Sequence, residues 1–311
     1  MANPTPPGDA EPDPALPGRP SVGGPAREGS RRSLREAGPK GSRAGRDLPA
    51  AIAVGLVLLV GVLVGLLLFP LAFVVIVTLF AVFGCWEVSR ALAEAKVDIP
   101  LVPLGVGAVA MPFCAYYGGP EALGFGLAGT LLVTLLWRVV EGRGGASRSV
   151  MSSAFVALWV PFLISFALLL FNEVDGPLKV ATLLLLVVAN DTFGYLVGAF
   201  FGRHPMAPKI SPKKSWEGFA GSVGGAIVVG VLASVLLLHQ PWWVGVPLAM
   251  ATVAAATVGD LSESMVKREL GIKDMSNLLP GHGGFMDRLD SIVFASPVAY
   301  ILFVLLLPGA V

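Results

Sequence analysis

The chain has 311 residues, 55% of them hydrophobic and 14% charged, with a net charge of +1. An ordinary soluble domain is about 25% charged, so this composition excludes a soluble globular protein, and the near-zero net charge predicts no nucleic-acid partner. The two cysteines, Cys85 and Cys114, lie in or beside apolar runs without a CxxC pair, which argues against a disulfide framework or zinc site and makes both core or lipid-facing residues.

Residues 1–48 hold nine of the 25 prolines, much Gly and Ser, and scarcely any large apolar side chain. Such a segment cannot bury enough surface to offset its ordering entropy, and it reads as a disordered cytoplasmic tail. Its "SRRSLRE" at 30–36 precedes an apolar run in the manner of a twin-arginine signal. No small-residue cleavage site follows, so the motif reads as a basic juxtamembrane cluster.

A hydrocarbon layer about 30 Å thick needs roughly 20 apolar residues of helix. Nine windows come close to that length: 49–68, 71–91, 100–118, 121–138, 152–171, 178–200, 218–238, 242–259 and 291–309. They lack the alternation of membrane strands. The expected fold is therefore an all-α integral membrane protein, a polytopic bundle of about nine transmembrane helices over residues 49–311.

Positive charge marks the cytoplasmic side of a membrane protein. The tail carries eight Lys and Arg, from Arg19 to Arg46. With nine spans and the tail inside, the other cytoplasmic connections take Arg90 and Lys96; Arg138, Arg143 and Arg148; Arg203, Lys209, Lys213 and Lys214; and Lys267, Arg268, Lys273 and Arg288. The external connections keep only Lys179. This register places the polar loops 201–217 and 260–290 in the cytoplasm and the C-terminus outside, and the expected location is the plasma (cytoplasmic) membrane.

Asp191, in "NDTFGYLVGAFFGRH", falls inside the sixth window, where an ionised carboxylate costs about 2.5–3.5 kcal/mol, so it should face the bundle interior or a wet cavity. Gly194, Gly198 and Gly202 recur every fourth residue on one face, a pattern of close helix packing. The following "KISPKKSWEG" joins Lys209, Lys213 and Lys214 to Ser211, Ser215 and Glu217. Ammonium groups and hydroxyls around a Pro-fixed turn can hold a polyphosphate, although lysines beside a membrane also serve as headgroup anchors. A P-loop is absent, since no GxxxxGK[ST] occurs.

In "GDLSESMVKRELGIKDMSNLLPGHGGFMDRLDS", 259–291, Asp260, Ser264 and Lys267 stand at i, i+4 and i+7 and share a face if the eighth helix continues past the membrane. Gly281, Gly283 and Gly284 around His282 permit positive φ and close backbone approach to an anion. Asp260 and Asp287 among so many cations make sense if a hard cation sits on the acids and phosphate oxygens bridge it to the bases.

These residues resemble the phosphatidate cytidylyltransferases, whose signature S-x-[apolar]-K-R-x4-K-D-x-[GSA]-x2-[LIF]-[PG]-x-H-G-G-[apolar]-x-D-R-[apolar]-D is met by Ser264, Lys267, Arg268, Lys273, Asp274, Ser276, Leu279, Pro280, His282, Gly283, Gly284, Asp287, Arg288 and Asp290. The 191–218 segment is similar to a second region of that family, with Gly194 where many members have Ala. The resemblance implies conversion of CTP and phosphatidate to CDP-diacylglycerol and pyrophosphate by a membrane cytidylyltransferase domain, in contact with membrane lipids and as a homodimer. It assigns Asp260 and Asp287 to Mg²⁺, with a second cation left open, and makes Lys213, Lys214, Lys267 and Arg268 candidates for phosphate oxygens. Ser211 and Ser264 would hydrogen-bond to the substrates, Asp191 would organise the polar cavity, and His282 and Arg288 would contact substrate. Asp290 would either support the metal site or pair with Arg288. Two other readings stay open on the residues: a different CTP-using lipid enzyme, such as a polyprenol kinase or an ether-lipid synthase, and a transporter with Asp191 as its coupling carboxylate.

Overall fold

A computed structural model describes residues 57, 60–142, 144–276, 278 and 283–307. The tail at 1–48 and most of the first apolar window lie outside these residues. Seven described helices are long and apolar enough to cross a membrane: α1 (Pro70–Glu94), α2 (Leu101–Glu141), α3 (Ala146–Phe171), α4 (Gly176–Phe201), α5 (Trp216–Leu236), α6 (Gly245–Glu269, entered through a 3₁₀ turn at Trp242–Val244) and α7 (Met286–Leu306). Their outer faces carry large exposed apolar side chains such as Val106, Phe125, Val140, Leu236 and Leu305. A surface of that kind calls for lipid rather than water. Hydroxyls within the spans bond back to carbonyls four residues earlier, as Thr78 does to Val74, Ser165 to Pro161 and Thr182 to Leu178. That arrangement removes the cost of an unpaired polar group in an apolar medium.

The end of the first window is helical over 60–67 and turns at Leu68–Phe69 into α1, where Pro70 occupies the first helical position. Proline suits that position because its fixed φ is already helical and its missing N–H would have had no partner. Helix α2 runs for 41 residues, about 60 Å at 1.5 Å per residue and twice the hydrocarbon thickness. It does not run straight. Gly119 leaves helical geometry (φ 72°, ψ −163°) immediately before Pro120, and the two arms fold back on each other. Gly107 abuts Thr130, and Gly126 abuts Met111 and Cys114. The windows 100–118 and 121–138 correspond to these arms. In α3 the helix widens into a π turn at Leu158–Phe162, where Pro161 removes a backbone donor.

Helices α4 to α7 form the framework of the polar face. Along α4, Gly194, Gly198 and Gly202 meet Gly218, Ser215 and Ser222, so the glycine periodicity marks close packing of α4 against α5, as expected. Gly230 meets Gly245 between α5 and α6, and Gly259 meets the Asp290 carbonyl between α6 and α7. The interior of this region includes Leu248, Val253, Ala256, Val293 and Ala299, all fully buried. The 201–217 connection holds a two-stranded sheet, an antiparallel hairpin of β1 (Pro205–Ala207) and β2 (Ser211–Ser215). Cys85 is buried and Cys114 half-buried, both as free thiols.

Candidate active site

Helix α6 continues ten residues beyond the apolar window, to Glu269, so Asp260, Ser264 and Lys267 do occupy one face. Ser264 Oγ donates to Asp260 Oδ1 at 3.3 Å. Lys267, seven residues or about 10 Å of helix axis beyond Asp260, donates through Nζ to Glu263 Oε2 at 2.7 Å and to Asp287 Oδ1 at 2.8 Å. Lys267 and Arg268 sit in the last turn of α6, where positive charge complements the helix dipole.

Asp287 lies in the first turn of α7. Its Oδ2 accepts the amides of Gly284 at 2.8 Å and Met275 at 3.1 Å. This brings Met275 and Gly284 together on one carboxylate oxygen. Gly283 has φ 77°, the left-handed geometry that a glycine accepts without strain. At the N-terminus of α7, Phe285 provides no side-chain cap. Its place is taken from another helix by Glu87 of α1, which accepts the amides of Phe285 at 2.9 Å and Met286 at 2.8 Å and the hydroxyl of Ser276 at 2.5 Å.

A cavity of about 340 Å³ opens between α4, the hairpin, α5 and α6, lined among others by Asp191, Lys213, Lys214, Ser215 and Asp260. Lys214 Nζ stands 2.5 Å from Asp260 Oδ2. Asp191 is exposed to the cavity and accepts from Asn190 Nδ2 at 2.9 Å, while Ser222 Oγ holds the Asn190 carbonyl at 2.6 Å. Asp191, Asp260 and Asp290 lie within one another's electrostatic reach, and Arg288 acts on Asp191 in the opposite sense.

Local bonds position the hairpin. Glu217 accepts the amides of Arg203 and His204, both at 3.1 Å, and contacts the His204 ring at 2.5 Å. Ser215 caps α5 by accepting the Gly218 amide at 3.1 Å, and Arg268 Nε reaches the Ile210 carbonyl at 3.3 Å. Lys213 and Lys214 are thereby fixed at the cavity wall.

Asp191, Lys213, Lys214 and Asp260 thus share one cavity, and Ser264, Lys267 and Asp287 follow along α6 to the start of α7. Ser211 does not line the cavity; it pairs with Ala207 at the far end of the hairpin, and Ser215 takes the cavity position. Arg268 is exposed and contacts the hairpin. His282 lies outside the described residues.

Sequence reasoning missed Glu87 and Glu263. Glu87 was detectable as a carboxylate inside an apolar span, and Glu263 by its i−4 spacing from Lys267. Glu263 is 1% exposed, and its Oε1 is buried with no hydrogen-bond partner among the described residues.

Among the described residues, no three His, Cys, Asp or Glu side chains form a ready ligand set. Mg²⁺ is commonly held by one or two carboxylates together with substrate phosphates. The donor chemistry here suits that mode: Asp260 is half-exposed at the cavity, and among the described residues Asp287 Oδ1 carries only the Lys267 bond, leaving a lone pair.

The family model described as "Cytidylyltransferase family" matches residues 49–306. The chain is 42% identical over 298 residues to the phosphatidate cytidylyltransferase of Mycobacterium leprae, covering 89% of this chain and 94% of the relative. It is 39% identical over 298 residues to that of Mycobacterium tuberculosis, covering 92% and 91%, and 36% identical over 186 residues to that of Brucella abortus, covering 59% and 66%. The matched residues include both the cavity and the carboxylate–lysine pairs on α6 and α7, and with that coverage the chain belongs to the cytidylyltransferase family.

Proposed function

We propose that this protein is a phosphatidate cytidylyltransferase, transferring CMP from CTP to phosphatidate to give CDP-diacylglycerol and pyrophosphate. The observation that carries this reading is the pair of carboxylate–lysine contacts, Asp260 with Lys214 and Asp287 with Lys267, presented along α6 beside a polar cavity. A phosphate oxygen of phosphatidate attacks the α-phosphorus of CTP, and the bond to the pyrophosphate oxygen breaks. The attacking phosphatidate oxygen is already ionised at neutral pH, so no strong general base is needed. The difficulty is the approach of two anions, which positive charge must offset.

Lys213 and Lys214 face the cavity and bind phosphate oxygens there, while Lys267 keeps Asp287 oriented and Ser264 does the same for Asp260. Asp191 and Asn190 form the polar floor. Asp260 and Asp287 would hold Mg²⁺, which when bound neutralises phosphate charge and stabilises the departing pyrophosphate. The acyl chains stay in hydrocarbon while the headgroup meets CTP at the cytoplasmic ends of α4 and α6. This reading includes nine spans in the plasma membrane, a cytoplasmic tail and active site, an external C-terminus, and a homodimer.

The test is product analysis in detergent micelles or liposomes containing phosphatidate, with each nucleoside triphosphate in turn. CTP labelled at the α-phosphorus should give labelled CDP-diacylglycerol. Transfer of the γ-phosphate instead, with release of CDP, would refute nucleotidyl transfer.

A further inference from the structure

Glu87 is fully buried in a helix whose only other carboxylate is its last residue, Glu94. A buried carboxylate is costly unless its lone pairs are filled, and among the described residues every group that fills them comes from the far end of the chain. Oε1 accepts from Ser276 Oγ and the Phe285 amide, and Oε2 accepts from the Met286 amide. All three partners are donors. The site therefore requires an acceptor on both oxygens, which a carboxylate supplies and an amide side chain does not.

A second carboxylate grips the same turn. Asp287 takes the amides of Met275 and Gly284, and Glu87 takes the neighbouring Ser276 hydroxyl and the amides of Phe285 and Met286. Donors on both sides of the turn thus alternate between an acid of α1 and an acid of α7. The fit is close enough that a Cβ on Gly284 would lie 2.7 Å from Glu87 Oε2. Glu87 also fills the capping role that Phe285 leaves open at the positive end of the α7 dipole.

We infer that Glu87 is a positioning residue for the reaction: it caps α7 from α1 and so holds Asp287 in register with Lys267. This inference rests on the catalytic role proposed for Asp287, and the test separates the two.

The test uses the full-length protein in micelles, with Glu87→Gln and, as a milder change, Ser276→Ala. Hydrogen exchange at Ser276 and over 283–288 should quicken about tenfold or more in Glu87→Gln, and less in Ser276→Ala, while α4 and α5 keep their protection. Turnover by Glu87→Gln should fall about thirtyfold or more with KM for CTP changed less than about threefold, because the loss is confined to the transition state. Adding Glu87→Gln to Asp287→Asn should cost less than about threefold further, whereas its effect should multiply with that of Lys213→Met across the cavity. Unchanged exchange around the turn would overturn the inference, as would loosening spread evenly over α1, α4 and α7, or full multiplication of the Glu87 and Asp287 effects. If Asp287→Asn proves fully active, the catalytic reading of Asp287 fails, and the inference that Glu87 serves the reaction falls with it even where exchange shows Glu87 holding the turn.

Discussion

Replacing Asp287 by Asn preserves size and removes charge, and the structure makes its consequences differ from those of the same change at Asp260. Asp287 is 9% exposed and accepts three hydrogen bonds, from Lys267, Met275 and Gly284. An Asn whose carbonyl faces the two amides turns its NH₂ toward Lys267, donor against donor. The lost charge-assisted bond is worth about 1.5–3 kcal/mol, and the two retained bonds weaken, for a total near 3 kcal/mol of stability. Asp260 is 33% exposed, and its partner Lys214 is 26% exposed. Solvent screening reduces that pair to about 1 kcal/mol or less. Catalysis should nevertheless fall about a hundredfold or more in both variants, a transition-state loss near 2.7 kcal/mol. If both acids hold one cation, the double variant should be scarcely slower than the worse single one. The assay is conversion of labelled CTP across a Mg²⁺ titration, run beside thermal unfolding. Near-normal turnover of either Asn variant at limiting Mg²⁺ would remove that residue from the metal site. An Asp287→Asn protein as stable as Asp260→Asn would refute the bonding argument.

Lys267→Met should destabilise the protein by about 3–5 kcal/mol, because it leaves the buried Glu263 and Asp287 without their shared cation; Lys213→Met, on an exposed side chain, should keep the melting temperature and weaken CTP handling. Gly218→Ala would place a Cβ 3.0 Å from the Gly194 carbonyl oxygen and 3.3 Å from Gly198 Cα. Backbone on the far side cannot yield easily, so melting should show a loss of about 1–3 kcal/mol with reduced turnover, whereas Gly224→Ala, with nothing within 4 Å, should melt as the parent does. Tags on the N-terminal tail and in the 201–217 connection should label from the cytoplasm and a tag after Val311 from outside, as the Lys and Arg distribution requires; cytoplasmic labelling of the C-terminal tag would break the nine-span reading.

The long apolar helices, their order and the glycine face of α4 were legible in the sequence, because a spanning helix must satisfy its backbone internally and show apolar side chains outward, a local requirement written in each segment. The α6 face of Asp260, Ser264 and Lys267 was legible for the same reason, since it follows from helical spacing alone. Partnership between elements was not. No periodicity announces that Lys214 reaches Asp260 from a hairpin or that Lys267 is shared by Glu263 and Asp287. Nor does any local pattern show that Ser215 rather than Ser211 lines the cavity, or that the hairpin forms at all in a stretch that reads as loop. Glu87 marks the boundary most clearly: as a residue it is one acid in an apolar run, and its role exists only where α1 lies against the start of α7, nearly 200 positions later in the chain. A buried carboxylate is tolerable only when donors surround it, and which donors do so is decided by the packing of helices far apart in sequence.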